Sequence, residues 1–330
     1  MNNQMNICIS ADENFIELGA IVLKSIVIHA CPGTSFTFYI IDNGILETSR
    51  NRVLSMFGKN TVTIKFINAR DMERDIGMQI DGGRWPISAF QRLYIAEYLP
   101  KDVQRVLYLD CDILVRGPLD WLYKVDMEDR YVVAGAEECL SKQNKVNIGI
   151  TGQDIYVNSG VLLIDLERWR SLDVGRKSME YIRENSQHLQ FIDQDTINAV
   201  LRHRIKLVPL KYNAYTVLFN YTYDEMLQYR NVKKFCSQQM CQDAINDPVI
   251  VHFTQDTISI RPWYKNGCHK YRKEWLDVRE MTQWKDQPLW EDNRPFSIKA
   301  KYIIFRIIPR KIAVALAARV NNRHSVNYSR

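Results

Sequence analysis

The sequence predicts an α/β fold, a Rossmann-like and mainly parallel sheet flanked by helices, with a basic helical tail behind it. Three observations carry the prediction. Apolar runs rich in β-branched residues alternate with stretches of helical period, the pattern of βαβ units. Hydrophobic residues make up 46% of the 330 positions and charged residues 25%, which supports a large core and argues against a disordered or collagen-like chain. Beyond Asn293 the acidic residues stop while the basic ones continue, so the last segment follows a different rule.

In chain order, Asn6 to Ser10 is the first strand, and Leu18, Ile21, Val22 and Ser25 mark a helical period behind it. Phe36 to Ile41 is the next strand, Leu46 to Phe57 a helix, and TVTIKFIN (Thr61 to Asn68) a further strand. Ser88 to Leu99 reads as a helix and leads through Pro100 into RVLYLDCDILVRGPLDWL (Arg105 to Leu122). There Val106, Leu107 and Leu109 indicate a buried strand, and Gly117 and Pro118 turn the chain. YVVAGAEE is a strand, VNSGVLLIDLERW a strand passing into a helix, and DQDTINAVLR a helix whose acidic start suits its N-terminal dipole. IKLVPL and PVIVHFT complete the strands. No internal repeat or low-complexity linker is visible, and the one boundary falls near Trp290 to Pro295, which separates a body, 1–292, from a tail, 293–330.

The net charge is +6, yet nine of the 44 Lys and Arg lie from Arg294 onward; the remaining 35 face 38 acidic residues, so the body carries about −3. A mildly acidic body without a nucleic-acid-binding motif argues against a nucleic-acid partner. The seven cysteines are scattered and form no CxxC pair, as expected of reduced cytosolic thiols. The N-terminus shows no signal peptide, and no stretch approaches the roughly 20 apolar residues that span a bilayer. A cytoplasmic location is expected.

Asp110 and Asp112 interrupt an apolar run one residue apart. If the strand stays extended to Asp112, residues i and i+2 share a face and both carboxylates aim at one point. In a parallel α/β sheet that point lies outside the carboxyl ends of the strands, where ligands bind. Two carboxylates there repel each other. A divalent cation removes the repulsion, and oxygen ligands select Mg2+ or Mn2+. The alternative is a solvated strand end in which one aspartate caps a turn. His252 closes PVIVHF at another strand end. As a third ligand its imidazole shifts the preference toward Mn2+; otherwise it is a hydrogen-bonded structural histidine. So few protein ligands leave positions for the phosphate oxygens of a diphosphate-bearing substrate.

Seven segments in order carry a resemblance: ISADENF, FQRLYIAEYLP, RVLYLDCDILVRGPLDWL, YVNSGVLLIDLERWR, FIDQDTINAVL, LKYN, and VHF followed by RPW. From Asn6 to about Trp263 they resemble glycosyltransferase family 8, retaining enzymes of the GT-A fold that include bacterial lipopolysaccharide galactosyl- and glucosyltransferases. The resemblance implies a GT-A nucleotide-sugar transferase domain over 1–292. It implies Asp12 and Asn14 at the donor's uridine, positions that as ordinary residues would form a turn and an N-cap. Arg92 resembles the arginine that helps hold the donor, and Asn158 and Ser159 the turn beside the donor sugar. Asp110 and Asp112 match the DxD motif and His252 the third protein ligand of Mn2+, with Mg2+ as the other candidate. Asp193 matches a residue that hydrogen-bonds sugar hydroxyls, and Gln194 the side chain closest to the anomeric carbon.

Three departures stand out. The family's HxxGPxKPW appears as HFTQDTISIRPW, with a longer loop, no Gly-Pro, and Arg261 in place of the lysine that contacts the diphosphate. A planar fork thus replaces a point charge. AGAEEC lacks the usual aspartate, for which Glu137 or Glu138 substitutes, and Asp165 replaces a common asparagine.

The activity implied is transfer of glucose or galactose from a UDP-sugar, with retention, to a glycan or lipid-linked glycan acceptor such as lipopolysaccharide or capsule. An amide is a poor nucleophile, so Gln194 favours front-face attack by the acceptor over a covalent intermediate. A nucleotide-sugar binding protein and a metal-dependent nucleotide-sugar hydrolase are the alternatives. In the tail, Ile298, Tyr302 and Phe305 recur at helical spacing beside Lys299, Lys301, Arg306 and Arg310, until Pro309 breaks the helix. This predicts a basic amphipathic helix at the inner face of the cytoplasmic membrane. A helix packed on the core is the other reading.

Overall fold

The computed structural model describes residues 3–58, 61–69, 90–256 and 258–327. Ser88, named above, lies outside the described residues, as do the side chains of Lys301 and Arg306. Among the described residues the strands are β1 (Asn3–Ala11), β2 (Thr34–Asp42), β3 (Val62–Asn68), β4 (Arg105–Leu109), β5 (Ile113–Val115), β6 (Val133–Glu137), β7 (Val157–Asp165), β8 (Ile205–Val208), β9 (Ala214–Tyr215) and β10 (Ile250–His252). Seven form a sheet of order β3-β2-β1-β4-β7-β6-β8, and three form a smaller sheet, β5-β10-β9.

The large sheet is mainly parallel, as expected, with β7 running antiparallel to both of its neighbours. Both faces are covered. On β1, Ile7 and Ile9 join a core with Ile16, Ala20 and Leu23 of the helix Ile16–Ile28, whereas Cys8 between them joins a second core with Leu93, Ile95, Trp169 and Ile182. Burial on both faces explains why these strands read as continuous apolar runs.

Two expectations are corrected. The strand from Arg105 does not stay extended to Asp112: β4 ends at Leu109, and the chain crosses in three residues to β5 of the other sheet. Ser88 to Leu99 is not one helix. Within the described residues Phe90 and Gln91 are helical, a 3-10 turn follows at Arg92–Tyr94, and a single helical turn, Ile95–Tyr98, comes after it. The break falls at Tyr94, whose buried ring lies against Gly175, so tertiary packing overrides helical period there.

The tail forms two helices, Phe296–Ile307 and Arg310–Asn327, interrupted around Pro309. Its expected membrane face points elsewhere. Tyr302 is buried and donates to Asp256 O, Phe305 packs against the main core, and Ile298 is half-buried. Ala313, Val314, Ala317 and Ala318 are buried too, and Arg310 pairs with Glu225 at 2.7 Å, which ties the second helix to Tyr223–Arg230. A buried tyrosine hydroxyl needs a hydrogen-bond partner, and the Asp256 carbonyl supplies one to Tyr302. The solvent-facing apolar side chains are a different set, with Phe296 81%, Ile303 55% and Ile307 76% exposed. All seven cysteines are free.

Candidate active site

The site lies where the two sheets meet. Because β7 runs against β4, its first residues come beside the last residues of β4: Leu109 pairs with Val161, and Asp110 N–H donates to Gly160 O at 2.8 Å. Asn158 and Ser159 are thereby brought to the aspartate pair from 46 to 49 residues away in sequence. Asp112 precedes β5, where Ile113 faces His252 of β10, and Phe253 N–H donates to Asp112 O at 2.8 Å. The two carboxylates converge through this bend between sheets and not through the pleat of one strand.

One ligand atom each from Asp110, Asp112 and His252 lies within 4.8 Å of the others. His252 Nε2 is 3.0 Å from Asp112 Oδ1 and 3.9 Å from Asp110 Oδ2. Burial opposes a charged imidazole, yet Asp112 and Asp110 outweigh it and raise the pKa of His252. Burial likewise pushes Asp112 up, but His252 and Arg261 hold it at about 2. The residues fit a hard or borderline divalent cation on two grounds. Two carboxylate oxygens and one imidazole nitrogen are a suitable donor set. The space is also reserved by Gly160, where a Cβ would stand 2.3 Å from His252 Cε1 and 2.7 Å from Asp110 Oδ2.

Arg92 ties this cluster to the residues expected around the donor sugar. Its Nη2 donates to Asp110 Oδ1 at 2.7 Å, Nη1 to Ser159 O and Oγ at 3.0 Å, and Nε lies 2.9 Å from Asp193 Oδ2. Burial lowers its pKa, but Asp110 and Asp193 more than compensate, so the charge is permanent. Asp193 and Gln194 stand in the first turn of the helix Ile192–Val200. Gln194 is buried, its Oε1 accepting from Ser159 N–H and its Nε2 donating to Tyr156 OH, both at 3.0 Å. Arg261 Nη2 reaches Asp112 Oδ2 at 3.2 Å while its Nε donates to Phe253 O. The longer loop therefore still delivers a cation to the aspartate pair.

Asp12 and Asn14 lie at the carboxyl end of β1 but bond to one another, Asn14 N–H donating to Asp12 Oδ1 at 2.9 Å, in a turn that opens the helix Ile16–Ile28. Cys111 Sγ contacts Ser10 O at 3.2 Å, so this turn borders the aspartates without joining their hydrogen bonds. Glu138, not Glu137, enters the site: it accepts from Asn158 Nδ2 at 2.7 Å and pairs with Arg230 at 3.1 Å. Asp165 caps the helix Leu166–Ser171 by accepting from Arg168 N–H. Tyr156, Asp195, Asn213 and Arg230 were not singled out from the sequence. Asn213 stood inside the quoted LKYN and Asp195 inside FIDQDTINAVL, but only their buried partners reveal them.

The family model described as Glycosyl transferase family 8 matches residues 6–267. A lipopolysaccharide 1,2-glucosyltransferase of Escherichia coli is 25% identical over 303 residues, which is 90% of this chain and 84% of that protein. General stress protein A of Bacillus subtilis (strain 168) is 26% identical over 286 residues, 85% of this chain and 94% of that protein. Among solved structures, the galactosyltransferase LgtC in complex with donor and acceptor sugar analogs superposes with a TM-score of 0.69 at 22% identity, covering 90% of this chain and 100% of that one. At that identity the likeness is one of fold.

Proposed function

Because the chain belongs to glycosyltransferase family 8 and is a hexosyltransferase, we propose that it moves glucose or galactose from a UDP-sugar, with retention and with Mn2+, to a lipopolysaccharide, capsule or similar surface glycan. The observation that carries the reading is the convergence of Asp110, Asp112 and His252 on the cluster of Arg92, Asp193 and Ser159. Relatives named as lipopolysaccharide glucosyl- and galactosyltransferases support the acceptor class.

In this reading Asp110, Asp112 and His252 hold the cation, which supplies Lewis-acid stabilisation of a departing diphosphate. Arg261 adds a permanent positive charge on the same side, so no protonated acid is needed at the leaving oxygen. Asp193, fixed by Arg92 and Ser159, accepts from sugar hydroxyls and orients the ring. Gln194 is engaged at both ends of its amide, which suits a positioning group and not a nucleophile. The acceptor hydroxyl then attacks the anomeric carbon on the face the diphosphate leaves, the bond from that carbon to the diphosphate oxygen breaking as the hydroxyl proton passes to the departing phosphate. Asp12, Asn14, Asn158 and Ser159 line the donor's path.

UDP release measured with a glycan-acceptor extract, with water alone, and with or without Mn2+ tests the proposal. Cation-dependent release that needs the acceptor is expected, falling about 100-fold or more in Asp110→Ala/Asp112→Ala. Release with water alone indicates a hydrolase, and donor binding without release a binding protein. Undiminished transfer by the double variant refutes the role of the aspartates. Thermal stabilisation by UDP-glucose against UDP-galactose identifies the donor.

No helix among the described residues is long and apolar enough to cross a membrane. The tail instead meets the inner face of the cytoplasmic membrane through Phe296, Ile303, Ile304 and Ile307 with Lys299 and Lys311, an apolar patch edged by cations.

A further inference from the structure

Behind His252 lies a chain of buried polar groups whose direction is not free. Glu138 and Asn158 are 7% and 5% exposed, Asn213 0% and His252 4%. Asn158 Nδ2 donates to Glu138 Oε2 at 2.7 Å, and Asn158 Oδ1 accepts from Gly160 N–H at 3.0 Å. A carboxylate beside an arginine only accepts, and a backbone N–H only donates. These two single-role partners leave Asn158 one orientation. Its Oδ1 also faces Asn213 Nδ2 at 2.9 Å, so the Asn213 amide nitrogen points there and its oxygen points the other way, to His252 Nδ1 at 2.9 Å. An oxygen at that place requires a proton on Nδ1. In the neutral ring the lone pair then sits on Nε2, the atom that faces Asp112 and Asp110.

We infer that Glu138, held by Arg230, anchors a one-way hydrogen-bond relay through Asn158 and Asn213 that sets His252 as its Nδ1–H tautomer and so aims its ligand lone pair at the aspartates. Glu138 and Asn213 are positioning residues: neither belongs to the Asp110, Asp112, His252 cluster, and both act through His252. This gives the glutamate of AGAEEC a role of its own. Its longer reach lets one carboxylate meet both Arg230, at the end of the helix Tyr223–Arg230, and Asn158 on β7. Glu138→Gln replaces the single-role acceptor by a group that can present either end, so the relay loses its direction and Arg230 its counter-charge.

The inference rests on the cation reading above, and two measurements on the full-length protein separate them. The first is nitrogen-15 NMR of labelled histidine, without added metal and at a pH high enough to leave the ring neutral, with His252→Gln to assign the signal. The Nδ1–H form is expected in the wild type, and a dominant Nε2–H form overturns the relay. The second is Mn2+ affinity by electron paramagnetic resonance. Asn213→Leu, which offers Nδ1 no acceptor, is expected to lose about 10- to 100-fold. At saturating Mn2+ the kcat of Asn213→Leu is expected to change far less than its affinity. Unaltered affinity in Asn213→Leu also overturns the relay. If the wild type binds no Mn2+ at all, the cation reading fails, while the tautomer measurement still judges the relay; it judges it as well if Asn213→Leu does not fold.

Discussion

Arg92 spans Asp110, Asp193 and both oxygens of Ser159 with one planar fork. A lysine offers one point charge and satisfies at most one of these carboxylates. Arg92→Lys is therefore expected to lower kcat by about 100-fold while leaving the fold intact, read by initial rates beside circular dichroism. A second residue, Asp195, accepts from Tyr156 OH at 2.6 Å and from the N–H groups of Gln190 and Phe191 at 2.7 and 2.8 Å. Burial nonetheless raises its carboxyl to about 6. A carboxyl raised on folding contributes its stability below the unfolded pKa and loses it as pH rises through about 6. Tyr156→Phe removes a donor that favours the charged form, so its cost grows with pH, to about 1.5–3 kcal/mol at pH 8 and less at pH 5. Thermal denaturation of both proteins at the two pH values checks this, and equal losses contradict it. Asp110, Asp112 and His252 were legible from the sequence because charge is anomalous at apolar strand ends. Tyr156 and Asn213 were not, since an aromatic or an amide inside an apolar run gains meaning only from its partner.

The decisive element is β7, whose reversed direction carries Asn158 to Gly160 to the end of β4. Gly160→Ala puts a methyl into the space shared by His252 and Asp110. We expect Mn2+ affinity to fall by at least 10-fold with the far-UV spectrum unchanged; calorimetric titration showing normal affinity would mean that the cluster has more room than its geometry implies. The long strands were legible because β-branched runs buried on both faces leave a plain trace. The crossing between sheets was not: Ile113, Leu114 and Val115 continue the apolar run of β4, and hydropathy does not register a change of direction. Strands as short as β5, β9 and β10, at three, two and three residues, are defined by pairing more than by composition. The helices Val174–Asn185, Gln238–Asn246 and Arg272–Arg279 were also absent from the sequence reading.

At the scale of the molecule, charge and packing divide the tail differently. Its basic character was plain in the sequence, but helical spacing alone gave the wrong face, since both sides of Phe296–Ile307 carry apolar residues. Ile303→Glu/Ile307→Glu alters exposed positions and is expected to abolish sedimentation with anionic liposomes while changing stability by about 1 kcal/mol or less. Val314→Asp places an unpaired charge in the core and is expected to cost about 3 kcal/mol or more. Equal liposome binding by the first variant removes the tail from membrane attachment. The crossing from Asp110 to Asp112 has a mechanical consequence as well. One aspartate leaves the large sheet, while the histidine belongs to the small one, so any slip between the layers parts the side chains that face each other across the seam. Whatever grips all three works as a rivet, and resistance to shear and capture of the ion become a single equilibrium.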